Sequence, residues 1–528
     1  MGQRRSILLL PLLLASFCFP AAPSAAAAPP LRYWFWWEAS TFDTYYGDYF
    51  DVMQVARNIY APLVSIGMDG RPQGMAADDW KVDPSGKIWR FHIRKGLTFE
   101  DGAPVTSSAA LANFRRMLWL TRGENLPLNS LMPETDGWKD YAAPLKCLYT
   151  EGEELVFKFK RRPDNLFEVL SHPLYGIASP LCFDGEAKWK DKFCSVASGQ
   201  YRVAGRSPGK IKLVSRHALP AAKDAPEEVE ILTPLKPGES ALKAMFAGAG
   251  EMAIEPGFAL SSGTLKAVLD HGFELTEEPP SRMYFVQLNH EKPPFTDKVL
   301  RRSVRDVFLS LFLKECLKHG IAPVEPSFMP RGGVGYGIFP VREAPKPAVI
   351  AHSSVDVVFF PLANYPFPAD GLMQEIAENT FLKTLELHGL KPVVTRHLAR
   401  KGAMQRFIQG DYNVIMRGSG ITINDPYAGL KMMFLSKISA RIPDPSGRAS
   451  GFIRRANETA DPAERRALIG KMNEAVFEDA AAITFAHSSW VYIHKPGVDM
   501  SHFNLFMDPI EFRAIRWTPQ KEIDHAGK

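Results

Sequence analysis

"MAADDWKVDPSGKIWRFHIRKGLTFEDGAPVTSSAALANFRR", residues 75–116, is the stretch that decides the fold. Apolar and charged residues alternate over 89–94, which is the period of a half-buried strand. An Asp-Gly pair at 101–102 predicts a tight turn, and Thr106 is placed to cap a following helix. The alternation puts His92 on the face opposite the apolar residues. The stretch therefore predicts a hairpin and the start of a helix, which are scaffold and not an active site.

The composition limits the class of protein. The chain has 528 residues, of which 46% are hydrophobic and 23% are charged, as in soluble globular proteins. This length exceeds what one hydrophobic core accommodates, so two or three packed lobes are expected. The 42 prolines and 39 glycines indicate short elements joined by structured turns, which favours an α/β fold.

The first 28 residues read as an export signal. A basic start precedes an apolar run at 7–19, and small residues after it offer a cleavage point, as in a secretory signal peptide. A membrane anchor is the competing interpretation, but the run is short and is interrupted by a proline. Lipidation of Cys18 is not expected, because Phe17 stands where a lipoprotein signal requires a small residue. Residues 1–28 are therefore predicted to be removed.

The charge of the mature chain argues against one class of partner. Cleavage removes two arginines and lowers the net charge from +5 to +3, which is near neutral for this size. A protein that binds mainly nucleic acid is expected to be far more basic. No nucleic-acid partner is therefore predicted.

Four cysteines remain after cleavage. An exported protein folds in an oxidising compartment, where disulfides form. Cys182 and Cys194 lie 12 positions apart around a charged loop, and this pair is the favoured disulfide. Cys147 and Cys316 then remain as buried thiols. The Cys and His spacings match no metal motif, so neither a metal nor a cofactor is predicted.

Later segments of the chain alternate strands with helices. A strand at 355–360, a helix over about 370–388 and a strand at 391–397 form a βαβ pattern. "GDYNVIMRG" at 410–418 predicts a further strand. A proline that follows an N-cap aspartate opens a predicted helix over about 462–480.

The common catalytic motifs are missing from the sequence. It contains no HExxH, GxSxG, P-loop or GxGxxG pattern, and its 13 histidines are scattered. No enzyme activity is therefore predicted. An exported hydrolase acting on peptides or glycans is the alternative, because a pair of carboxylates is assembled from distant segments that spacing does not reveal.

Taken in order, these segments resemble family 5 of the extracellular solute-binding proteins of bacterial ABC importers, the oligopeptide- and dipeptide-binding group. The stretch at 75–116 is similar to the signature of that family, and "LKAMFAGAGEMAI" at 242–254 and "NHEKPPFTDKVLRRSV" at 289–304 are similar to later segments. "GDYNVIMRG" with "NDPYAGL" at 424–430 continues the match. The resemblance implies a monomeric periplasmic binding protein that delivers a peptide-like or other small organic solute to permease subunits in the inner membrane. A chaperone or the input subunit of a sensor would use the same fold.

The resemblance also implies how the chain is divided. The expected architecture is an α/β, two-lobed periplasmic-binding-protein fold with an extra subdomain in the first lobe. Its predicted parts are a signal peptide at 1–28, lobe I at 29–75, the extra subdomain at 76–190, lobe I again at 191–283, lobe II at 284–487 and a return to lobe I at 488–528. The hinge is expected in two crossing segments, near 282–288 and 484–490.

The candidate ligand-binding residues lie mainly around the strand at 410–418. Arg417 is the preferred candidate because its guanidinium can hold a carboxylate in a bidentate geometry, although an interlobe or surface salt bridge explains it equally well. Asn424 and Asp425 are weaker candidates, since Asp-Pro also starts turns. Trp37 belongs to an aromatic cluster at the mature N terminus that either packs the core or lines a cleft.

Thr422 marks a departure from the family. Peptide binders carry an aspartate a few residues before the Asp-Pro pair, and this aspartate binds the free ammonium of the peptide. Thr422 or Ile423 stands at that place here, and neither forms an ion pair. Either Asp425 or another carboxylate substitutes, or the ligand is not a peptide with a free amino terminus. Peptides, opines, oligosaccharides, haem and nickel chelates all stay open as ligands.

Overall fold

The structure is a computed structural model of the chain. It describes residues 29–36, 38–46, 50–122, 127–163, 165–234, 240–256, 262–319, 324–343, 346–350, 353–359, 372–395, 405–407, 409–420, 426–435, 442–459, 461–504 and 510–519. The predicted signal peptide lies outside these residues. Within them, no helix combines the length and the apolar character that a bilayer span requires.

Helices and strands alternate through the described chain. The helices are α1 (Phe50–Ile59), α2 (Ser107–Leu120), α3 (Pro127–Leu131), α4 (Leu166–Leu170), α5 (Ala241–Phe246), α6 (Ser262–Asp270), α7 (Lys298–Lys318), α8 (Leu372–Leu387), α9 (Pro426–Leu435), α10 (Arg448–Glu458) and α11 (Pro462–Asp479). The strands are β1 (Leu31–Trp34), β2 (Val64–Ile66), β3 (Pro72–Gly74), β4 (Ala77–Val82), β5 (Ile88–Ile93), β6 (Leu148–Glu151), β7 (Glu154–Lys158), β8 (Tyr201–Ser207), β9 (Lys210–Ser215), β10 (Glu228–Leu232), β11 (Met252–Pro256), β12 (Glu274–Glu277), β13 (Arg282–Leu288), β14 (Ser353–Phe359), β15 (Leu390–Thr395), β16 (Val414–Gly420), β17 (Ala482–Ser488), β18 (Trp490–His494), β19 (Val498–Asp499) and β20 (Arg516–Trp517).

The largest sheet has seven strands in the order β12-β18-β11-β1-β10-β9-β8. Strand β1 lies at its centre and runs parallel to β10 and β11, whereas the other pairs are antiparallel. Leu31 and Tyr33 pack into a core with α1, and Trp34 packs into a second core with α5 and α6. Because both faces of β1 are covered, three of its four residues are large and apolar or aromatic, and the fourth, Arg32, is paired with Glu251.

A four-stranded antiparallel sheet, in the order β4-β5-β7-β6, contains the predicted hairpin. Phe91 and Ile93 of β5 are buried against Phe114 of α2 in one core. The Thr106 hydroxyl caps α2 by accepting a hydrogen bond from the backbone N–H of Ala109 at 3.1 Å. The hairpin and the helix start are therefore confirmed.

His92 lies on the opposite face of this hairpin. Its ring nitrogens are 2.7 Å from the Asp78 carboxylate and 3.3 Å from the Glu153 carboxylate. The hydrogen bond to Asp78 raises the pKa of His92, since it stabilises the protonated ring. The histidine and its charged neighbours thus satisfy one another on the surface of the sheet.

The second large sheet has five strands in the order β15-β14-β16-β13-β17. Strand β14 is parallel to both β15 and β16, and α8 connects β14 with β15, which confirms the predicted βαβ pattern. Strand β13 joins the sheet antiparallel to β16 and β17. The predicted helix after residue 461 is α11, capped by the Asp461 carboxylate.

The chain passes between the two large sheets at two places. It leaves the seven-stranded sheet at Glu277 and enters the five-stranded sheet at Arg282, so the first crossing is 278–281. It returns between Ser488 and Trp490, so the second crossing is Ser489. The second crossing lies inside the predicted segment, and the first lies directly before it. The finer division into lobes and a subdomain stays a prediction.

The cysteines pair as expected. Cys182 and Cys194 form a disulfide, with their Cα atoms 5.5 Å apart. Cys147 and Cys316 are buried thiols, and burial raises the pKa of both. Among the described residues, no group of three or more His, Cys, Asp or Glu side chains is arranged to hold a metal ion.

Candidate functional site

In both large sheets, the carboxyl ends of parallel strands lie beside the crossing segments. The parallel strands β1 and β11 end beside the start of β18, and Pro256 of β11 is paired with Trp490. In the other sheet β16 ends at Gly420, opposite Arg282 at the start of β13. The carboxyl ends of parallel strands are where open α/β sheets bind ligands. The crossing region is therefore the candidate site.

Hydrogen bonds tie the two crossing segments together. The backbone N–H of Trp490 donates to the Glu278 carboxylate at 3.1 Å, and the Glu278 N–H donates to the Trp490 carbonyl at 3.0 Å. The Ser281 N–H donates to the Ser488 carbonyl at 3.2 Å, and the Ser489 hydroxyl donates to Glu277. The crossing is thus a paired two-segment connection between the two large sheets.

Two tryptophan rings and an arginine lie at this edge. The ring centres of Trp36 and Trp490 are 4.4 Å apart. The guanidinium carbon of Arg282 lies 4.0 Å from the centre of the Trp490 ring, which is a cation–π contact. One aromatic surface at the crossing therefore already accommodates a planar cation.

Glu255 is a carboxylic acid sealed at the same edge. It lies near the carboxyl end of β11, opposite Val491 of β18. Its side chain is 0% exposed, and the Trp36 indole N–H lies beside its carboxyl group as a hydrogen-bond donor, although the two groups do not meet in good hydrogen-bond geometry. Burial raises the pKa of Glu255 well above its ordinary value, and the neighbouring Trp36 indole offsets that rise only in part. The neutral acid is the favoured form here.

Arg417 lies deeper in the five-stranded sheet. It is a buried residue of β16, 9% exposed, and its guanidinium carbon is 4.9 Å from the ring centre of Phe285 and 4.6 Å from that of Phe407. Its Nε donates to the Gln287 side-chain carbonyl at 3.4 Å. Burial lowers the pKa of Arg417 to about 10. The structure therefore places a desolvated cation beside this strand, and its role towards a ligand stays a prediction.

The other predicted site residues lie outside the described residues. These are Trp37, Thr422, Asn424 and Asp425. Their neighbours in the chain are described: Trp36 contacts Trp490 at the crossing, and β16 ends at Gly420. The predictions for these four residues are therefore neither confirmed nor contradicted.

Sequence reasoning missed Glu255, Arg282 and Trp490. In "EMAIEPG" the acid occurs in a short apolar strand directly before a Pro-Gly pair, where a solvent-facing side chain is the ordinary expectation. An acid within a short apolar strand was the feature of the sequence that could have singled out Glu255. Its burial depends on β1 and β18, which come from distant parts of the chain.

A separate cavity lies away from this edge. It is small, and its lining residues are Arg57, Asn58, Tyr60, Met75, Gly199, Gln200, Leu219, Glu511 and Arg513. No lining residue belongs to a crossing segment or to the five-stranded sheet. We therefore do not assign the ligand to this cavity.

Comparison with protein families identifies the central part of the chain. Residues 71–305 match the family described as bacterial extracellular solute-binding proteins, family 5 middle. This range contains the hairpin stretch, β11 with Glu255, and the first crossing.

A curated relative agrees with this match over part of its length. The chain is 27% identical over 129 residues to the periplasmic oligopeptide-binding protein OppA of Haemophilus influenzae, which is 24% of this chain and 21% of OppA. The aligned sequence thus spans about a fifth of that relative. A solved structure of H. influenzae OppA with the peptide RPPGFSPFR covers 92% of this chain and 98% of its own, at 17% identity and a TM-score of 0.73.

Other solved structures share the fold. The binding protein AgaA of A. tumefaciens R10, in complex with agropinic acid, covers 93% of this chain and 99% of its own, with 18% identity and a TM-score of 0.74. The Escherichia coli murein tripeptide-binding protein MppA covers 93% and 99%, with 15% identity and a TM-score of 0.73, but its unliganded open form scores 0.60 with 92% and 97% covered, also at 15% identity. The chain therefore has the two-lobed periplasmic-binding-protein fold.

Proposed function

Because residues 71–305 match the model of the family 5 bacterial extracellular solute-binding proteins, we propose that this chain is the periplasmic substrate-binding component of an ABC importer. It binds a peptide-like or other small organic solute between its two lobes and delivers it to permease subunits in the inner membrane. The observation that carries this proposal is the pair of carboxyl edges that face the two crossings.

The crossings suggest how binding is signalled. Two short segments that are hydrogen-bonded to each other allow the lobes to close about a hinge. Closure excludes water from the solute, which strengthens its polar contacts with the protein. The permease can then distinguish a loaded, closed protein from an empty, open one. The proposed lobe boundaries are those derived from the sequence.

The residues proposed to contact the solute come from both lobes. Arg417 would hold a carboxylate of the solute through its guanidinium. Asn424, Asp425 and Thr422 would follow the end of β16, and Trp37 would follow β1. OppA and AgaA bind a peptide and agropinic acid respectively, and both ligands contain carboxylates. A carboxylate-bearing organic solute is therefore the proposed ligand class.

In this proposal the protein acts outside the cytoplasm and binds its solute without converting it into a product. Export through a cleaved, unlipidated signal peptide, a monomeric state and the absence of catalysis are all parts of the proposal. The relatives above are binding proteins, so a hydrolase is not the favoured function.

The test begins with the protein purified from the periplasm of an expressing strain. Native mass spectrometry of that protein, followed by denaturation, is expected to release one organic solute or a narrow class of solutes. Deletion of the gene is expected to abolish uptake of that solute. Conversion of a bound peptide or glycan into products would instead favour a hydrolase, and intact uptake in the deletion strain would favour a chaperone or sensor subunit.

A further inference from the structure

Glu255 differs from the other charged groups at the crossing. The Glu278 carboxylate accepts from a backbone N–H, Glu277 accepts from a serine hydroxyl, and the Arg282 guanidinium lies over the Trp490 ring. Glu255 is fully buried, and among the described residues its carboxyl group has the Trp36 indole beside it but no ion pair and no well-formed hydrogen bond. This acid is therefore the group at the edge whose polar capacity the described chain leaves largely unused.

An acid in this situation is costly to the folded protein. A buried polar group without a hydrogen bond loses its hydration and gains nothing in exchange. Such groups are rare in folded proteins and occur where a ligand or a reaction requires them. The position of Glu255, near the carboxyl end of a strand that borders the crossings, is where a ligand is expected in this class of sheet.

We propose that Glu255 is a ligand-contacting acid of the interlobe cleft and that it selects solutes carrying a cationic nitrogen, either an ammonium or a guanidinium. This inference rests on the proposed function as a solute-binding protein. A carboxylate and a nitrogen cation form a charge-assisted hydrogen bond, which is about twice as strong as a neutral one.

The surroundings of Glu255 favour a nitrogen cation over other ligands. The Trp36 indole is close enough to affect the ionisation of Glu255, and the Trp36 ring packs on Trp490. Aromatic faces attract organic cations, and Trp490 already binds the Arg282 guanidinium in this way. A metal ion is disfavoured, because the described residues provide no set of three or more metal-ligating side chains here.

Access to the acid requires movement of the lobes. The carboxyl oxygens are sealed in the present arrangement. The chain passes between the two large sheets at 278–281 and Ser489, and the proposed contact requires that opening about these segments exposes the Glu255 carboxyl group. A cationic group bound there would give the acid its partner when the lobes close again.

The experiment uses two matched pairs of tripeptides and isothermal titration calorimetry on the full mature protein. The first pair has an acetylated amino terminus and differs only in a central arginine or its neutral isostere citrulline. The second pair is trialanine with a free or an acetylated amino terminus. The cationic member of at least one pair is expected to bind about 10-fold or more tightly than its neutral partner.

Substitution of the acid tests whether it is the cause. Glu255→Gln is expected to reduce that preference to about 2-fold or less, and Glu255→Asp, which keeps the charge, is expected to retain part of it. Glu274→Gln is the matched control. Glu274 is an exposed acid in the same sheet, at the first residue of β12, whereas the crossing follows the last residue of that strand. Thermal unfolding of each variant establishes that it is folded.

Three outcomes would overturn the inference. They are equal binding of both members of each pair by the unaltered protein, a preference that persists in Glu255→Gln, and no binding of any of the four peptides. If native mass spectrometry still finds a solute released from the unaltered protein, the proposed function stands while this inference fails.

Discussion

Asp43 and Glu255 are two buried acids whose surroundings differ completely. Asp43 is 5% exposed, and its two carboxyl oxygens each lie 2.8 Å from a nitrogen of the Arg116 guanidinium. The backbone N–H of Tyr45 adds a third hydrogen bond at 2.9 Å. Glu255, at 0% exposure, has the Trp36 indole beside it but no ion pair and no well-formed hydrogen bond among the described residues. The first acid has a complete set of partners and holds structure together, whereas the second is the one for which we propose a role in binding.

The partner of Asp43 is itself fully engaged. Arg116 of α2 donates its Nε to the Ala187 carbonyl at 2.9 Å, and its guanidinium carbon lies 4.8 Å from the ring centre of Trp189. This arrangement ties the segment after β1 to α2 and to the loop of the disulfide. The pair therefore joins three separate parts of the chain, and its polar atoms are engaged with one another and with the backbone.

The largest predicted effect comes from breaking the satisfied pair. Arg116→Met keeps most of the side-chain volume but leaves Asp43 buried without its cation. We expect the free energy of unfolding to fall by about 3–5 kcal/mol, because a lone buried charge loses its compensation. Urea denaturation at pH 7 measures this change.

Two further variants make that result interpretable. Arg71→Met removes an exposed arginine that faces Asp69, and no measurable change is expected. The double variant Asp43→Leu with Arg116→Met removes both charges and is expected to recover most of the loss. If Arg116→Met is as stable as the unaltered protein, the pair is not the structural contact described above.

The second effect concerns the unsatisfied acid and depends on pH. The folded-state pKa of Glu255 is raised above the ordinary 4.5 by burial. Below pH 4.5 the group is neutral in both states. As the pH rises further, the unfolded chain loses this proton and the folded chain keeps it, so the free energy of unfolding falls by about 1.4 kcal/mol per pH unit until the folded pKa is reached.

Glu255→Gln removes this dependence. The variant is expected to gain stability relative to the unaltered protein between pH 4 and pH 8, measured by urea denaturation at several pH values. Glu277, Glu278 and Arg282 are the charged residues of the adjoining segment, and they are present in both proteins, so their titration cancels in the difference. A difference that is constant with pH would contradict a neutral, sealed Glu255.

Arg417 is an intermediate case, and its predicted effect is on binding. It is a buried base whose described contacts are two phenylalanine rings and a glutamine amide. Arg417→Met preserves the packing of the stem, so the free energy of unfolding is expected to change by about 1 kcal/mol or less. Affinity for the solute released from the native protein is expected to fall about 10-fold or more, if the guanidinium holds its carboxylate.

Calorimetry and urea denaturation together decide the role of Arg417. Arg466→Met, on the exposed side of α11, controls for the loss of a positive charge. A large loss of stability with unchanged affinity would assign Arg417 to a structural ion pair, which is the other interpretation that its sequence allows.

Local patterns in the sequence predicted much of the fold. The alternation over 89–94 and the Thr106 cap depend on neighbouring residues, and both are confirmed. The disulfide between Cys182 and Cys194 closes a short loop and was also predictable. These features involve residues that lie near one another in the chain, so spacing alone contains the required information.

The candidate site was much less predictable. Glu255 is buried because β1 and β18 flank β11, and β18 begins more than 200 residues later in the chain. Whether a buried acid has a partner depends on side chains brought together only by the fold, which periodicity does not reveal. The predictions for Trp37, Thr422, Asn424 and Asp425 fall outside the described residues.

The smallest predicted effect lies at a contact far from the crossings. Arg161, which follows β7, donates to the Asn457 side-chain carbonyl of α10 at 2.5 Å and so links the four-stranded sheet to the lobe that holds the five-stranded sheet. Asn457→Ala should leave the free energy of unfolding within about 0.5 kcal/mol, because the site is not sealed. The dissociation rate of the bound solute should rise about 2- to 5-fold, since one hydrogen bond between the two proposed lobes is lost. Stopped-flow displacement measures this rate. Arg454→Ala, on the exposed face of α10, should leave it unchanged. An unchanged rate in Asn457→Ala would mean that closure is held by the crossing region and the solute alone.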